Sequence, residues 1–224
     1  MLEEITEQYR KKNAYKYGLK INSQFGEDFS LLVNEGAEQI EVQAGESRTL
    51  ENYITRSKLL IVRVDEDAIF EYRESCKGMI SAKSDIHVIL AGRGAKVSIA
   101  GCYEMREKSE LDIYHKVYHR APDTESKIDA RGVLRDASHI IYRSDILMGE
   151  NLTGLSGGQD GKFLVLSKEA KVDAIPALDI ATPSVQCTHS LSITHITPDD
   201  LFYSKTRGIE EAEARELFLE GFLN

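Results

Sequence analysis

The most informative stretch for the fold is residues 111–146, LDIYHKVYHRAPDTESKIDARGVLRDASHIIYRSDI. Short runs of alternating apolar and polar residues recur in it, and groups such as APDTES and RDAS separate them. Runs of this kind, bounded by turn-forming residues, are typical of β-strands. The same character extends over about residues 40–196, through runs such as LLIVRV, IHVILAG, KVSIAG and KFLVLS. The sequence therefore predicts a mainly β core.

The spacing of these strands favours a β-solenoid. No helical pattern between them is long enough for a crossover helix, which argues against a doubly wound α/β fold. A sandwich, a barrel and a solenoid remain. The strands have similar spacing, and Asp160-Gly161 is the one strong hairpin dipeptide. Turns that stack side by side therefore fit better than a series of hairpins.

Helices are predicted at both ends of the β core. Residues 2–17 carry apolar residues near helical spacing with charge on the other faces, which predicts a short amphipathic helix. We therefore expect an amino-terminal helical cap over residues 1–35, a β core over residues 36–196 and a helical subdomain over residues 197–224.

The carboxyl end carries clear helix signals. Thr197 is a good N-cap residue, Pro198 suits the first helical position, and Gly208 suits the end of a helix. A second helix is predicted after Gly208, with an apolar side formed by Ala212, Leu217 and Phe218. The apolar residues of this hairpin either pack on the β core or form a docking surface for a partner.

Composition excludes several classes of partner. The chain has 224 residues, 42% of them hydrophobic, and a formal net charge of −9. Nucleic acids and anionic membranes require clustered Lys and Arg, so neither is expected as a partner. The amino terminus lacks the apolar segment of a signal peptide, and no stretch approaches the ~20 apolar residues that span a bilayer. We expect a cytoplasmic protein.

The three cysteines are expected to be thiols. Cys76, Cys102 and Cys187 are an odd number at wide spacing, which does not suit a disulfide framework. Cys102 lies in a predicted strand and is expected to be buried.

The segment VQCTHSLSITHI, residues 185–196, has the sharpest chemistry. Its alternation is that of a strand, and residues two apart on a strand lie on the same face. Cys187 and His189 therefore project together, and a thiolate with an imidazole can bind iron or zinc. Two ligands do not complete a tetrahedral site, so further ligands would come from elsewhere. The alternative is that Cys187 is a small core residue and His189 a hydrogen-bonded one.

Two other histidines share a strand face. His115 and His119 alternate with apolar residues in LDIYHKVYH, which predicts that they point inward. We interpret them as structural residues whose rings bind backbone carbonyls, because the local sequence offers no carboxylate or cysteine at ligand spacing.

Motifs of catalysis are weak or misleading. Residues 155–159 read LSGGQ, which matches the signature of ABC ATPases, but the chain has no phosphate-binding GxxxxGK[ST] motif. The nucleophile elbow G-x-S-x-G is absent as well. We therefore expect no bound nucleotide and no enzymatic activity.

A family resemblance becomes visible from Gly101 onward. The segments GCYEM, DIYHKVYHRAPDTES, ARGVLRDASHIIYRSDI, GQDGKFLVLS, AIPALDI, VQCTH and LFYSKTRGIEEAEARELFLEGF follow one another as in the carboxyl-terminal core of SufB and SufD proteins. The chain resembles this family over about residues 95–222, and it is closer to the SufD type. The resemblance implies a right-handed parallel β-helix with a short N-terminal helix and a C-terminal helical hairpin.

The resemblance also implies a function. Members of this family are non-catalytic scaffold subunits of the SUF iron–sulfur cluster assembly machinery. The chain is then expected to pair with a second SufB/SufD-type subunit, or with a second copy of itself, and to dock the SufC ABC-type ATPase. Cys187 and His189 fall on the Cys-Ser-His of SufD-type proteins, which implies a transient iron–sulfur cluster at the subunit interface. The docking residues implied are Leu201, Phe202, Tyr203, Arg207, Gly208 and Ile209.

Departures from the family pattern keep other functions open. Ser190 follows His189 where SufB-type chains have a glutamate, and residues 161–170 contain no cysteine. One alternative is a divergent β-helix paralogue that acts as an interaction protein. The other is a stand-alone metal-dependent β-helix enzyme, for which the available carboxylates are Asp112, Asp129, Asp145 and Asp179.

Overall fold

The structure, a computed structural model, describes residues 37–223. The amino-terminal helix predicted within residues 1–35 lies outside the described residues. The described chain consists of β-strands followed by two helices at the carboxyl end.

The strands form two parallel six-stranded sheets. The first sheet contains β1 (Ala37–Val42), β3 (Lys58–Val64), β5 (Ser81–Leu90), β7 (Glu110–His119), β9 (His139–Met148) and β11 (Lys171–Ile180). The second sheet contains β2 (Ser47–Tyr53), β4 (Ile69–Gly78), β6 (Lys96–Met105), β8 (Glu125–Leu134), β10 (Leu155–Val165) and β12 (Val185–His195). Successive strands therefore alternate between the sheets, which confirms the predicted β-solenoid, with about five turns.

The interior of the solenoid is built by stacking equivalent residues of successive turns. Val62, Val88, Val117 and Ile146 lie side by side in register and are all fully buried. Such ladders arise because alternate residues of every strand point inward, and each parallel pairing aligns them with the strand above and below. Burial of each aliphatic side chain stabilises the fold by about 1.5–3 kcal/mol.

Helix α1 (Pro198–Thr206) begins and ends where the sequence predicts. The Thr197 hydroxyl accepts a hydrogen bond from the Asp200 backbone N–H at 3.2 Å, and the Thr197 backbone N–H donates to the Asp200 carboxylate at 2.8 Å. This reciprocal capping box satisfies amide groups that the first turn leaves unpaired. Gly208 has φ +80°, a left-handed conformation that glycine adopts without strain, and the helix ends there.

Helix α2 (Glu211–Leu223) packs on the outer face of the second sheet. Leu219 and Phe222 contact Val133 and Leu164 near the carboxyl ends of β8 and β10. Arg215 also donates a hydrogen bond to the Leu166 carbonyl at 3.2 Å.

The predicted apolar side of α2 does not pack on the sheet, which leaves the docking alternative for its residues. Ala212, Leu217 and Phe218 are exposed, and the buried residues are instead Ala214 and Leu219. The helix therefore uses one apolar side to pack on the sheet and leaves other apolar residues uncovered.

Candidate functional site

Cys187 and His189 lie on the same face of β12, as the alternation predicts. Cys187 pairs in register with Gly157, and His189 with Gln159, on the neighbouring strand β10. Strand β12 has no neighbour on its other side among the described residues. The positions of β12 that correspond to inward-pointing positions of earlier turns therefore have no strand stacked over them within residues 37–223.

Cys187 is half-buried at the edge of the core. Its thiol donates a hydrogen bond to the Met148 thioether, with the two sulfur atoms 3.4 Å apart. Burial raises the pKa of the Cys187 thiol, and a hydrogen bond from the Gly157 backbone opposes this effect. Because the thiolate is the metal ligand, binding of a metal ion here would displace a proton.

His189 is exposed, and its ring makes no hydrogen bond or ion pair with residues 37–223. The interpretation of His189 as a hydrogen-bonded core residue is therefore wrong. Its imidazole is free to bind an external group beside Cys187.

The described residues do not supply a complete metal site. No group of three or more His, Cys, Asp and Glu side chains suited to a metal ion occurs among residues 37–223. Cys187 and His189 are one soft and one borderline donor, a combination that suits iron. The remaining ligands for such an ion would come from outside these residues.

The predicted docking residues lie on α1 and in the turn that follows it. Phe202 is 70% exposed and Tyr203 is 59% exposed. The Arg207 guanidinium lies 5.3 Å from the centre of the Tyr203 ring and donates a hydrogen bond to its hydroxyl. Leu201 and Ile209 are half-buried. The hairpin therefore presents two aromatic rings, one of them held by an arginine.

Exposed apolar residues are concentrated at the carboxyl end. Of the eleven large hydrophobic residues exposed among residues 37–223, eight lie after residue 170. Four are on the last turn of the solenoid and four are on the helices: Ile175, Ile180, Leu191, Ile193, Phe202, Tyr203, Leu217 and Phe218. Contiguous apolar patches on a protein surface mark interaction sites, so the carboxyl end is the candidate region for one.

A buried polar cluster inside the solenoid was missed by the sequence analysis. Glu74 accepts hydrogen bonds from the Tyr103 hydroxyl at 2.6 Å, the Ser84 hydroxyl at 2.7 Å and the Tyr72 hydroxyl at 3.1 Å. His115 Nε2 lies 2.8 Å from the same carboxylate. The available signal was a glutamate on the apolar face of the strand FEYRESC, residues 70–76.

The contacts of Glu74 hold it in the ionised form. Burial by itself favours the protonated acid, but hydrogen bonds and charge from His115, with hydrogen bonds from Tyr103 and Ser84, outweigh it. They keep the pKa of Glu74 below its usual value. The Tyr103 hydroxyl reaches Glu74 only because position 101 is glycine, since a Cβ there would lie 2.1 Å from that hydroxyl.

His115 and His119 point inward as predicted, but their partners are side chains. His119 Nδ1 lies 2.7 Å from the Thr124 hydroxyl, and Nε2 lies 2.8 Å from the Ser126 hydroxyl. The expectation of backbone carbonyl partners was wrong, because strands distant in the sequence and the following turn bring carboxylate and hydroxyl groups to these rings.

The remaining candidates also have defined positions. Cys76, Cys102 and Cys187 are free thiols, as expected, but Cys102 is on the outward face of β6 and exposed, so its predicted burial was wrong. Of the four aspartates, three lie in ion pairs: Asp112 with Arg143, Asp129 with Lys127, and Asp145 with Lys116.

Comparison with known proteins identifies the family. The sequence profile described as "SUF system FeS cluster assembly, SufBD core domain" matches residues 30–222. The chain belongs to the SufBD family. This finding confirms the resemblance, which was based on about residues 95–222, and extends it toward the amino terminus.

Named relatives of this SufBD chain are similar over most of its length. Proteins described as "Iron-sulfur cluster assembly SufBD family protein" from Staphylococcus saprophyticus, Staphylococcus epidermidis and Staphylococcus aureus are 25% identical to it over 178 residues. The alignments cover 78% of this chain and 38% of each relative. In the part of the chain that the structure describes, neither helix has the length and apolar character needed to cross a membrane.

Proposed function

We propose that this SufBD chain is a non-catalytic scaffold subunit of an iron–sulfur cluster assembly complex. In this proposal, iron and sulfide are the cargo, and the cluster forms transiently where the last turn of the solenoid meets a second subunit. The observation that carries the proposal is the position of Cys187 and His189 on the last turn, which no other strand of residues 37–223 covers.

The ligand set supports a shared site. Cys187 and His189 lie two residues apart on one strand face, about 6.5–7 Å apart at the backbone. A tetrahedral centre needs about four ligands, so a second subunit stacked on β12 would supply the others. A cluster held between two chains can be released when the chains separate, which suits a scaffold.

The last turn also has the properties of a pairing surface. The outer edges of β11 and β12 are unpaired among residues 37–223. Exposed apolar side chains lie on both strands: Ile175 and Ile180 on β11, and Leu191 and Ile193 on β12. An open strand edge offers N–H and C=O groups that another strand can bind. A SufB/SufD-type subunit or a second copy of this chain could thus continue both sheets.

The helical hairpin is the proposed docking site for a SufC-type ABC ATPase. The hairpin contacts the outer sheet face through Leu219 of α2, and Phe202 and Tyr203 of α1 are exposed. Aromatic residues of this kind, with an arginine, are enriched at binding hot spots. ATP hydrolysis would then belong to the partner, and this chain would transmit the movement to the cluster interface.

The test of this function is cluster reconstitution with a matched histidine control. The full chain, in complex with its cognate ATPase and SufB/SufD-type subunit, would receive iron and sulfide under anaerobic conditions. His189→Ala is expected to lower the visible absorbance of the cluster at least several-fold. His195→Ala is the control, because His195 is exposed on the same face of the same strand.

The outcomes separate the alternatives. Normal cluster formation in both His189→Ala and Cys187→Ser variants would contradict the site and leave the chain as an interaction protein. Equal loss in His189→Ala and His195→Ala would indicate damage to the pairing surface rather than loss of a ligand.

A further inference from the structure

The His115 ring has one nitrogen bound and one without a partner. Nε2 lies 2.8 Å from the Glu74 carboxylate, and Nδ1 makes no hydrogen bond within the described chain. The side chain is fully buried. A buried polar atom of this kind costs about 1–3 kcal/mol unless something hydrogen-bonds to it.

A second orphaned group lies on the next strand. Tyr142, on β9, stands edge-to-face with His115, with ring centres 5.7 Å apart. Its hydroxyl is buried and makes no hydrogen bond of good geometry within residues 37–223. Burial raises the pKa of Tyr142, and the neighbouring Ser144 hydroxyl opposes this effect. Tyr142 and Ser144 lie two residues apart on β9, so their side chains project from the same face of the strand.

Ser144 lies beside His115 and is connected to the last turn of the solenoid through hydrogen bonds. It is buried and is the register partner of His115 on β9. Its hydroxyl donates to the Gln159 side-chain carbonyl at 3.0 Å, and the Gln159 amide donates to the Ala177 carbonyl on β11 at 2.9 Å. Because the Ser144 proton is used in this bond, its oxygen still accepts a further hydrogen bond.

The ionised state of Glu74 fixes the position of one His115 proton. A carboxylate only accepts, so the proton between the two groups belongs to His115 Nε2. The other nitrogen, Nδ1, donates in the imidazolium and accepts in the neutral ring, and the site proposed below requires the neutral ring. The three groups thus offer two acceptors, His115 Nδ1 and Ser144 Oγ, and one hydroxyl donor, Tyr142. A single water molecule matches this set, since it donates twice and accepts once.

We propose that the solenoid interior between β7 and β9 is a binding site for one buried water molecule. The water donates to His115 Nδ1 and Ser144 Oγ and accepts from the Tyr142 hydroxyl. The water joins the Glu74 cluster to the hydrogen bonds that link Ser144, Gln159 and Ala177. One polar network then runs through the solenoid from β4 to β11.

The first measurement is histidine nitrogen NMR on the full chain. With ¹⁵N-labelled histidine, the His115 signals are assigned by their perturbation in Tyr142→Phe. The proposal expects a neutral ring with a protonated Nε2 and a hydrogen-bonded, unprotonated Nδ1. A ring protonated on both nitrogens at neutral pH would overturn it, because Nδ1 would then donate and the water could not bind as described.

The second measurement counts long-lived buried waters by water-oxygen relaxation dispersion. The double variant Tyr142→Phe and Ser144→Ala is expected to lose one such water relative to the wild type. Tyr72→Phe is the control, because Tyr72 is equally buried but its hydroxyl binds Glu74 directly. An unchanged count in the double variant would overturn the proposal. If the double variant does not fold, Ser144→Ala alone gives the same comparison.

Discussion

Glu74 shows how a single buried charge is tolerated in this fold. Three hydroxyl groups and one imidazole surround the carboxylate, and they come from strands β4 to β7. Removal of such a charge from water is expensive unless hydrogen bonds replace the lost hydration. The cluster therefore ties both sheets together at one level of the solenoid.

We predict that Glu74→Gln destabilises the protein by about 3 kcal/mol, because the amide group places donors against the donors that now surround the carboxylate. The measurement is the urea midpoint of unfolding. Glu71→Gln is the control: Glu71 is on the same strand, faces outward and pairs with Arg73 at the surface, so its loss should cost at most about 1 kcal/mol. Equal effects at both positions would contradict the role of the cluster.

His119 makes stability depend on pH. The Thr124 hydroxyl donates to the Ala121 carbonyl at 3.1 Å, so it accepts from His119 Nδ1. Burial lowers the pKa of His119 from 6.5 to about 4. The unfolded chain therefore binds a proton between these values that the folded chain does not. Stability should be highest above pH 6.5 and should fall toward pH 4.

As the pH falls through this range, we expect the contribution of His119 to lower the unfolding free energy by at most about 3 kcal/mol. This value follows because each unit of pKa shift corresponds to about 1.4 kcal/mol. His119→Gln is expected to flatten the dependence of the unfolding free energy on pH in this window, because glutamine retains hydrogen-bonding groups but does not titrate. Denaturant unfolding at several pH values is the measurement. An identical slope in wild type and variant would show that other groups dominate.

At the scale of elements, the hairpin α1–α2 has residues that contact the β-solenoid and aromatic residues that are exposed. Arg135 pairs with Glu216 at 2.9 Å, and Leu219 packs on the sheet. Phe202 and Tyr203 of α1 are exposed to solvent. A rigid element that exposes aromatic rings loses little conformational freedom on binding, which favours docking.

We predict that Tyr203→Ser weakens binding of the cognate SufC-type ATPase at least ~10-fold, since a central aromatic residue can carry more than 1.4 kcal/mol of binding free energy. Tyr53→Ser is the control, because Tyr53 is 56% exposed, close to the value for Tyr203, but lies on β2. The affinity of the full chain carrying either substitution is measured by binding to the surface-immobilised ATPase. Unchanged affinity in Tyr203→Ser would place the ATPase elsewhere.

At the scale of the whole molecule, the solenoid ends in a turn that the described residues do not cover. In a stacked fold each turn is stabilised by its neighbours, and a terminal turn needs a cap or a partner. Residues on β11 and β12 that correspond to buried positions in earlier turns are half-buried or exposed. Assembly on this end would bury them.

We predict that Ile193→Lys weakens assembly through β12 at least ~10-fold, because it replaces apolar burial with a charge that must lose its water. Light scattering coupled to size-exclusion chromatography measures the mass of the full chain, alone and with a SufB/SufD-type subunit. Ile69→Lys is the control, since Ile69 is 41% exposed and Ile193 is 42% exposed. Assembly that survives in Ile193→Lys would contradict pairing through the last turn.

Much of the architecture was predictable from local sequence. The alternation in residues 111–146 identified strands, the absence of crossover helices excluded doubly wound folds, and Thr197 with Gly208 fixed both ends of α1. The shared face of Cys187 and His189 also followed from strand geometry alone. These features depend on backbone conformation and on neighbours within a few residues, which the sequence states directly.

Other features required the tertiary structure. His115 meets Glu74 because the solenoid brings strands β4 and β7 to opposite walls of one interior, and no local pattern reports that pairing. The exposure of Cys102 and His189 likewise depends on what lies beside their strands. The side of α2 that packs depends on the sheet face that it contacts. The sequence by itself determined the strands, the helix ends and the donors on β12, because these are local properties. Only the tertiary structure decided which side chains are buried together and which strand edges are unpaired among residues 37–223, because both depend on contacts between residues far apart in the chain.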